Sequence, residues 1–246
     1  MKPRTGIRNV DGRARHPQHL SARPWHRKPE TWNLLNLAVL CVIVGLAAAA
    51  LDAQNRHGKL FPPQNLGLLE GPDRDAWQKP DQIMDALGIA DGSAVADLGA
   101  GGGWFTIRLA RRVGPNGVVY AEDIQKLMLE ATFRRVAREG LRNVRTLLGA
   151  ADDPRLPLGS LDAVLILDVY REMEDPVALL RNVRRSLKPT GRVGIVDYKK
   201  DGYGPGPALE DRVEPDAIVR DAAAAGLRLL SRETFLPYQF MLILGG

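Results

Sequence analysis

The residues best suited to chemistry sit in one short run, Val95-Ala96-Asp97-Leu98-Gly99-Ala100-Gly101-Gly102-Gly103, where an apolar strand meets the helix that follows it. Glycines at such a junction allow positive φ and let the main chain come up against a ligand. The unpaired N–H groups that open the next helix attract a carboxylate or a phosphate. Twenty residues beyond Gly103, at the end of a second strand, stands Asp123. A carboxylate there accepts both hydroxyls of a ribose. The two features together point to a ligand that contains a nucleoside.

A dinucleotide fingerprint G-x-G-x-x-G would place its third glycine at position 104, which is tryptophan. That sets an NAD-type oxidoreductase aside as the lesser alternative. The run reads D-x-G-x-G-x-G instead, with Asp97 two residues ahead of Gly99. In this it resembles the first motif of the class I S-adenosylmethionine-dependent methyltransferases, and the resemblance runs from about Trp77 to Gly246. The stretches Ser160-Leu161-Asp162-Ala163-Val164 and Leu187-Lys188-Pro189-Thr190-Gly191-Arg192 are similar to the small-molecule enzymes of quinone-biosynthesis type. Thr190 departs from the glycine that is commoner there.

The resemblance implies S-adenosylmethionine as cofactor and distributes the roles. Asp97 would organise the glycine loop and lie near the ligand's amino group, with Gly99 and Gly101 against the methionyl part. Gly103 and Asp168 complete the cofactor-facing set. Asp123 would hold the ribose. Gly149-Ala150-Ala151-Asp152-Asp153 resembles the segment that flanks adenine, with Asp152 the choice for the adenine amino group, Asp153 its rival, and a solvated turn the plain alternative. A membrane-tethered domain that binds the cofactor without catalysis is the other reading of the same motif.

Methyl transfer from a sulfonium is an in-line displacement, so alignment and water exclusion carry most of the catalysis. A base helps where the acceptor is a hydroxyl or a carbon acid. Candidates for catalysis lie at the carboxyl end of the fourth strand, beside the ligand crevice of such sheets: Asp168, Tyr170, Arg171 and Glu172. A structural duty is the alternative for each of them. Trp77 or Tyr198 is a candidate wall of the pocket. After the fourth strand comes Asp168-Val169-Tyr170-Arg171, without the prolines of enzymes that methylate exocyclic amines of bases. His16, His19, His26 and His57 all precede the domain and Cys41 is the only cysteine, so no metal site is expected. The expected acceptor is a small or lipid-like molecule.

Strands and helices alternate around these residues. Helices are expected from Pro80 to Gly88, over 104–112, over 125–138 with Leu129, Phe133 and Val136 on one face, after Asp175-Pro176 with Leu180, Val183 and Leu187 on one face, and from Pro215 to Gly226. Strands are expected at Ala94–Leu98, Gly117–Glu122, Val144–Leu148, Leu161–Asp168, Arg192–Tyr198, Arg228–Glu233 and Gln239–Leu244. The result is an α/β fold, a doubly wound and mostly parallel seven-stranded sheet. The last two strands have no helix between them, so the final strand should run antiparallel.

Of 246 residues with a net charge of +5, residues 1–30 hold eight basic side chains against two acidic ones. The remainder is nearly neutral, and no nucleic-acid partner is expected. Leu34–Leu51 is an apolar run of 18 residues, about 27 Å as a helix. It is read as a single-pass membrane helix between a basic tail (1–33) and a linker (52–75), with the methyltransferase domain at 76–246. A cleaved signal peptide is the alternative. The charge rule favours the non-cytoplasmic side for the domain, away from the cytosolic supply of cofactor, but Arg56 and Lys59 just after the run weaken the asymmetry and leave the side open.

Overall fold

Apolar runs too short for helices become the strands, and those covered on both faces are apolar almost throughout. In the computed structural model they are β1 (Ala94–Leu98), β2 (Val118–Asp123), β3 (Val144–Leu148), β4 (Leu161–Leu167), β5 (Leu187–Tyr198), β6 (Arg228–Glu233) and β7 (Gln239–Gly245). The structure describes residues 60–246 together with Ala38, Val39 and Cys41. The strands form one seven-stranded sheet in the order β3-β2-β1-β4-β5-β7-β6. From β3 to β5 all neighbours are parallel, and β7 pairs antiparallel with both β5 and β6. The turn-back expected for the closing strand is therefore observed. Its insertion between β5 and β6 follows from burial. β7 is buried along nearly its whole length and takes the inner place, whereas β6 alternates between exposed and half-buried and takes the edge.

The helices are α1 (Arg74–Gln78), α2 (Pro80–Ala86), α3 (Trp104–Val113), α4 (Lys126–Arg138), α5 (Pro176–Ser186) and α6 (Pro215–Ala224). On one face of the sheet α5 and α6 bury Leu180, Val183 and Ile218, and on the other α2 and α3 bury Ile83, Leu109 and Val113. Asp175 caps α5 by accepting from the Ala178 amide at 2.9 Å, with Pro176 in the first turn.

Three expectations shift. Phe133 does not join the buried face of α4; it is 64% exposed, and the inward row is Met128, Leu129, Thr132 and Val136. A close approach decides this, because a Cβ on Gly103 would stand 3.0 Å from the Thr132 side chain and only a small residue fits there. Leu187, expected to end a helix face, instead begins β5, pairing with Leu161 before the register shifts at Arg192–Ala163. Part of the expected linker is structured: Pro63–Leu69 forms a 3₁₀ turn and α1 follows. Leucines at 60, 66 and 69 fold that segment onto the domain, whose described part starts at Leu60.

The chain divides into two units, Met1–Asp52 and Ala53–Gly246. In the first, Ala38, Val39 and Cys41 are helical and exposed, and the rest of the expected membrane helix over 34–51 and the basic tail lie outside the described residues. Among the described residues no helix is long and apolar enough to cross a membrane.

Burial separates two substitutions of similar chemistry. Leu180→Ala, at a fully buried position, should cost about 2–5 kcal/mol in denaturant unfolding. Phe133→Ala should stay within about 0.5 kcal/mol, and a large loss there would mean that the ring is covered after all.

Candidate active site

A cavity of about 880 Å³ opens at the carboxyl ends of β1, β2 and β4. This is the crevice in which open α/β sheets hold their ligands. Its floor is the loop after β1. The Gly99 and Ala100 amides donate to the Glu122 carbonyl at 2.9 and 2.8 Å, so the loop stays stitched to β2 after the ladder ends. The Gly101 amide donates to Asp123 Oδ2 at 2.9 Å, and the Thr132 hydroxyl donates to the Gly101 carbonyl at 2.7 Å. Gly101 has φ +54°, and a Cβ added there would meet nothing within 4 Å. At this residue bare main chain faces open space, as a closely seated ligand requires.

Asp123, at the end of β2, is buried and keeps its second oxygen on the Gln125 amide at 2.8 Å. Each oxygen thus holds one N–H and retains a lone pair for another donor. Burial pushes the carboxyl of Asp123 up, and the Gln125 and Gly101 amides pull it back. Asp97 is buried and accepts the Thr106 hydroxyl at 2.6 Å; burial raises its pKa to about 6. Glu122, which the sequence reading did not single out, is buried beside them, and burial together with Asp123 raises it to about 8. Three buried acids on one wall make a place that favours a cation.

The sequence-derived candidates separate. Asp97, Gly99, Gly101, Asp123, Asp168, Arg171 and Glu172 all line the cavity. Gly103 does not: it immediately precedes α3 with φ +77° and lies against Thr132. Asp152 and Asp153 are exposed, while their neighbours Ala150 and Ala151 line the cavity. A tight turn, with Ala150 and Asp153 exchanging backbone hydrogen bonds, directs the two acids outward. Tyr170 is buried on the far side of the sheet end, where its hydroxyl donates to Asp221 at 2.7 Å. It holds α6 and does not reach the cavity.

Asp168, the residue after β4, has φ +61°, a left-handed conformation uncommon outside glycine and a store of strain at sites. Its side chain is 18% exposed, and Arg74 Nη2 lies 3.7 Å from Oδ2. Burial, then Asp197, raises Asp168 to about 7, against the opposing pull of Arg74. Trp77, Tyr198 and Tyr238 form an aromatic wall beside it, with ring centroids 6.4 Å (Trp77–Tyr198) and 6.2 Å (Trp77–Tyr238) apart. Pro205, Gly206 and Pro207 complete that end. The buried Arg212 holds their loop, donating to the carbonyls of Lys199 at 2.7 Å and Pro207 at 3.1 Å.

The segment from Leu60 to Trp77 covers the cavity. The Phe61 amide donates to Glu172 Oε2, and Gln125 Nε2 donates to the Phe61 carbonyl, each at 3.1 Å. Glu70 pairs with Arg135 of α4. Arg74 and Arg108 lie over the Trp104 ring at 4.1 and 3.6 Å, so the residue that breaks the dinucleotide fingerprint anchors the cover. Sequence alone missed Arg74, Thr106, Glu122 and Thr132. Only apolar spacing in 60–75 hinted at a covering segment.

Known proteins agree with this geometry. Residues 95–191 match the family model described as methyltransferase domain. The chain is 34% identical over 152 residues to nocamycin O-methyltransferase of Saccharothrix syringae, covering 58% of this chain and 52% of that protein. It is 36% identical over 123 residues to the ubiquinone/menaquinone biosynthesis C-methyltransferase UbiE of Pasteurella multocida, covering 48% and 44%. The match thus spans about half the length of these curated relatives. The crystal structure of a SAM dependent methyltransferase from Aquifex aeolicus superposes with a TM-score of 0.72 at 27% identity, covering 75% of this chain and 98% of that one. The glycine loop and the acid that ends β2 thus lie within residues that match a methyltransferase domain, in a fold similar to that of a SAM dependent methyltransferase.

Proposed function

We propose that the chain moves the methyl group of S-adenosylmethionine to a small, largely apolar acceptor whose proton passes to Asp168. The observation that carries the reading is the pairing of two unlike ends in one cavity. At one end lie the bare main chain of Gly101 and the Asp123 carboxylate; at the other lies a carboxylate set in an aromatic wall.

The residues fit the cofactor. The free lone pairs of Asp123 suit a ribose diol, and the small side chains of Ala150 and Ala151 leave room for a flat ring. Asp97 adds negative charge that favours a sulfonium or an ammonium, and a cation seated there would draw Glu122 toward its ionised form. Bound there, S-adenosylmethionine supplies a methyl group already activated for in-line displacement. The work left to the protein is alignment, exclusion of water by the Leu60–Trp77 cover, and removal of a proton from the acceptor. Asp168 is the carboxylate that would take that proton, and the Arg74 guanidinium beside it would steady the anion formed on the acceptor. The nocamycin and quinone-biosynthesis relatives are named for O- and C-methylation, and a hydroxyl or carbon acid set among aromatic rings is the acceptor chemistry this end suits.

We also propose that residues 34–51 cross or enter a membrane, which suits a lipid-like acceptor; the 18-residue apolar run supports this. Alkaline carbonate extraction of membranes holding the full chain should leave it in the pellet at full mass. Release into the supernatant, or a mass short of the N-terminal segment, would refute the anchor.

Asp123→Ala should weaken S-adenosylhomocysteine binding on the order of 10²-fold by calorimetry, through two lost charge-assisted hydrogen bonds. Gly101→Val should abolish it, by filling the open space and straining φ. Unchanged affinity in both would overturn the site. With phenol and quinol acceptors, the rate should rise with pH through about 7 as Asp168 ionises. Asp168→Asn should remove that rise and lower kcat by roughly 10²–10⁴-fold, leaving S-adenosylhomocysteine binding nearly unchanged. A variant that keeps both rate and pH profile would exclude Asp168 as the base.

A further inference from the structure

Gln78 and Gln239 are both fully buried, and neither lines the cavity. Two glutamines in such a place need a reason, since a buried amide costs free energy unless its donors and acceptor are used. Here they are joined to each other and to the site. Arg74 Nε donates to Gln78 Oε1 at 2.7 Å. Gln78 Nε2 donates to Gln239 Oε1 at 2.6 Å. Gln239 Nε2 donates to Asp168 Oδ1 at 2.5 Å. The chain returns to its start, because Asp168 Oδ2 faces the Arg74 guanidinium at 3.7 Å.

Every bond in this ring runs the same way, from a guanidinium that only donates to a carboxylate that, ionised, only accepts. Amides aligned head to tail polarise one another, so the direction is reinforced at each step. The members come from three places distant in sequence: α1 of the covering segment, the first residue of β7 and the residue after β4. We infer that Gln78 and Gln239 are positioning residues which hold the Asp168 carboxylate ionised and in one orientation, and which make that orientation depend on α1 being seated over the cavity.

The inference rests on the reading of Asp168 as the acceptor's base. The other groups that face Asp168 are Arg171, Asp197 and the Tyr198 hydroxyl. Asp197 disfavours the ionised carboxylate and the two arginines favour it. The glutamine donor adds to the arginines. Without it, the ionised form is less stable and the midpoint of titration moves up.

The test is the titration of Asp168, followed through its side-chain carboxyl carbon by NMR in the full chain and assigned by its loss in Asp168→Asn. Gln239→Met should raise the midpoint by about one pH unit, the equivalent of one charge-assisted hydrogen bond. Gln78→Met should raise it by less, since Gln239 is then free to turn its amide away. The double variant replaces both amides by apolar groups of similar size, which guards against a simple loss of folding. Methyl transfer to phenols and quinols is measured in parallel, with its pH profile. If Asp168 is the base, the rising limb moves up with the titration, and kcat at pH 7 falls several-fold with KM for S-adenosylmethionine unchanged. A titration unmoved in both single variants, or moved down, overturns the positioning role. A titration that moves while the pH profile stays fixed upholds the ring and overturns the assignment of Asp168 as base.

Discussion

The hydrogen bond from the Gly101 amide to Asp123 ties the loop after β1 to the end of β2, and the rest of the site is arranged about it. That bond requires main chain at positive φ with no side chain in the way, and a carboxylate that is buried yet not spent. Both conditions hold: Gly101 faces open space, and each oxygen of Asp123 carries one backbone donor while keeping a lone pair. Around it, Gly103 lets α4 approach closely enough for Thr132 to catch the Gly101 carbonyl. Thr106 of α3 holds Asp97 on the same wall. Helices α3 and α4 thus also set the loop's shape.

Charge in the cavity is unevenly shared between its ends. Asp97, Glu122 and Asp123 are buried together, and burial lifts all three toward their neutral forms while the Arg74 charge draws Asp97 back. Such a cluster is unfavourable alone and is relieved by a positively charged guest. At the other end Asp168 has Arg74 beside it, and the pair sits among aromatic rings. The first end is suited to holding a cation, the second to handling a proton. One cavity therefore supports two tasks through different local dielectrics and partners.

The cover from Leu60 to Trp77 links those ends. It is held by side-chain bonds at Phe61, an ion pair at Glu70 and the stacked guanidinium of Arg74. With the half-buried leucines 60, 66 and 69, these polar contacts hold it less deeply than the apolar core under the sheet is held. Segments of this kind open at lower free-energy cost than core strands, as entry and exit of a cofactor demand. Arg74 belongs both to the cover and to the surroundings of Asp168, so the cover itself shapes the environment of that carboxylate.

What the sequence determined by itself was whatever local pattern controls. Apolar runs of strand length, Pro at helix starts and Gly at junctions place the strands and helices, and the spacing from Asp97 through the glycines to Asp123 marks the cofactor end. Short-range sterics and hydrogen bonding enforce those features wherever the chain goes. Tertiary structure decided what depends on meetings between distant segments. Phe133 fits a helical face as well as Thr132 does, and only the approach of Gly103 selects the smaller residue. Asp152 and Asp153 look like adenine partners until a tight turn points them outward and leaves two alanines inside. Tyr170 is next to the crevice in sequence but is taken by Asp221 of α6. Arg74, Gln78 and Gln239 carry no motif at all. Their significance comes from a ring closed across 161 residues between Gln78 and Gln239, a separation at which no periodicity or spacing rule operates.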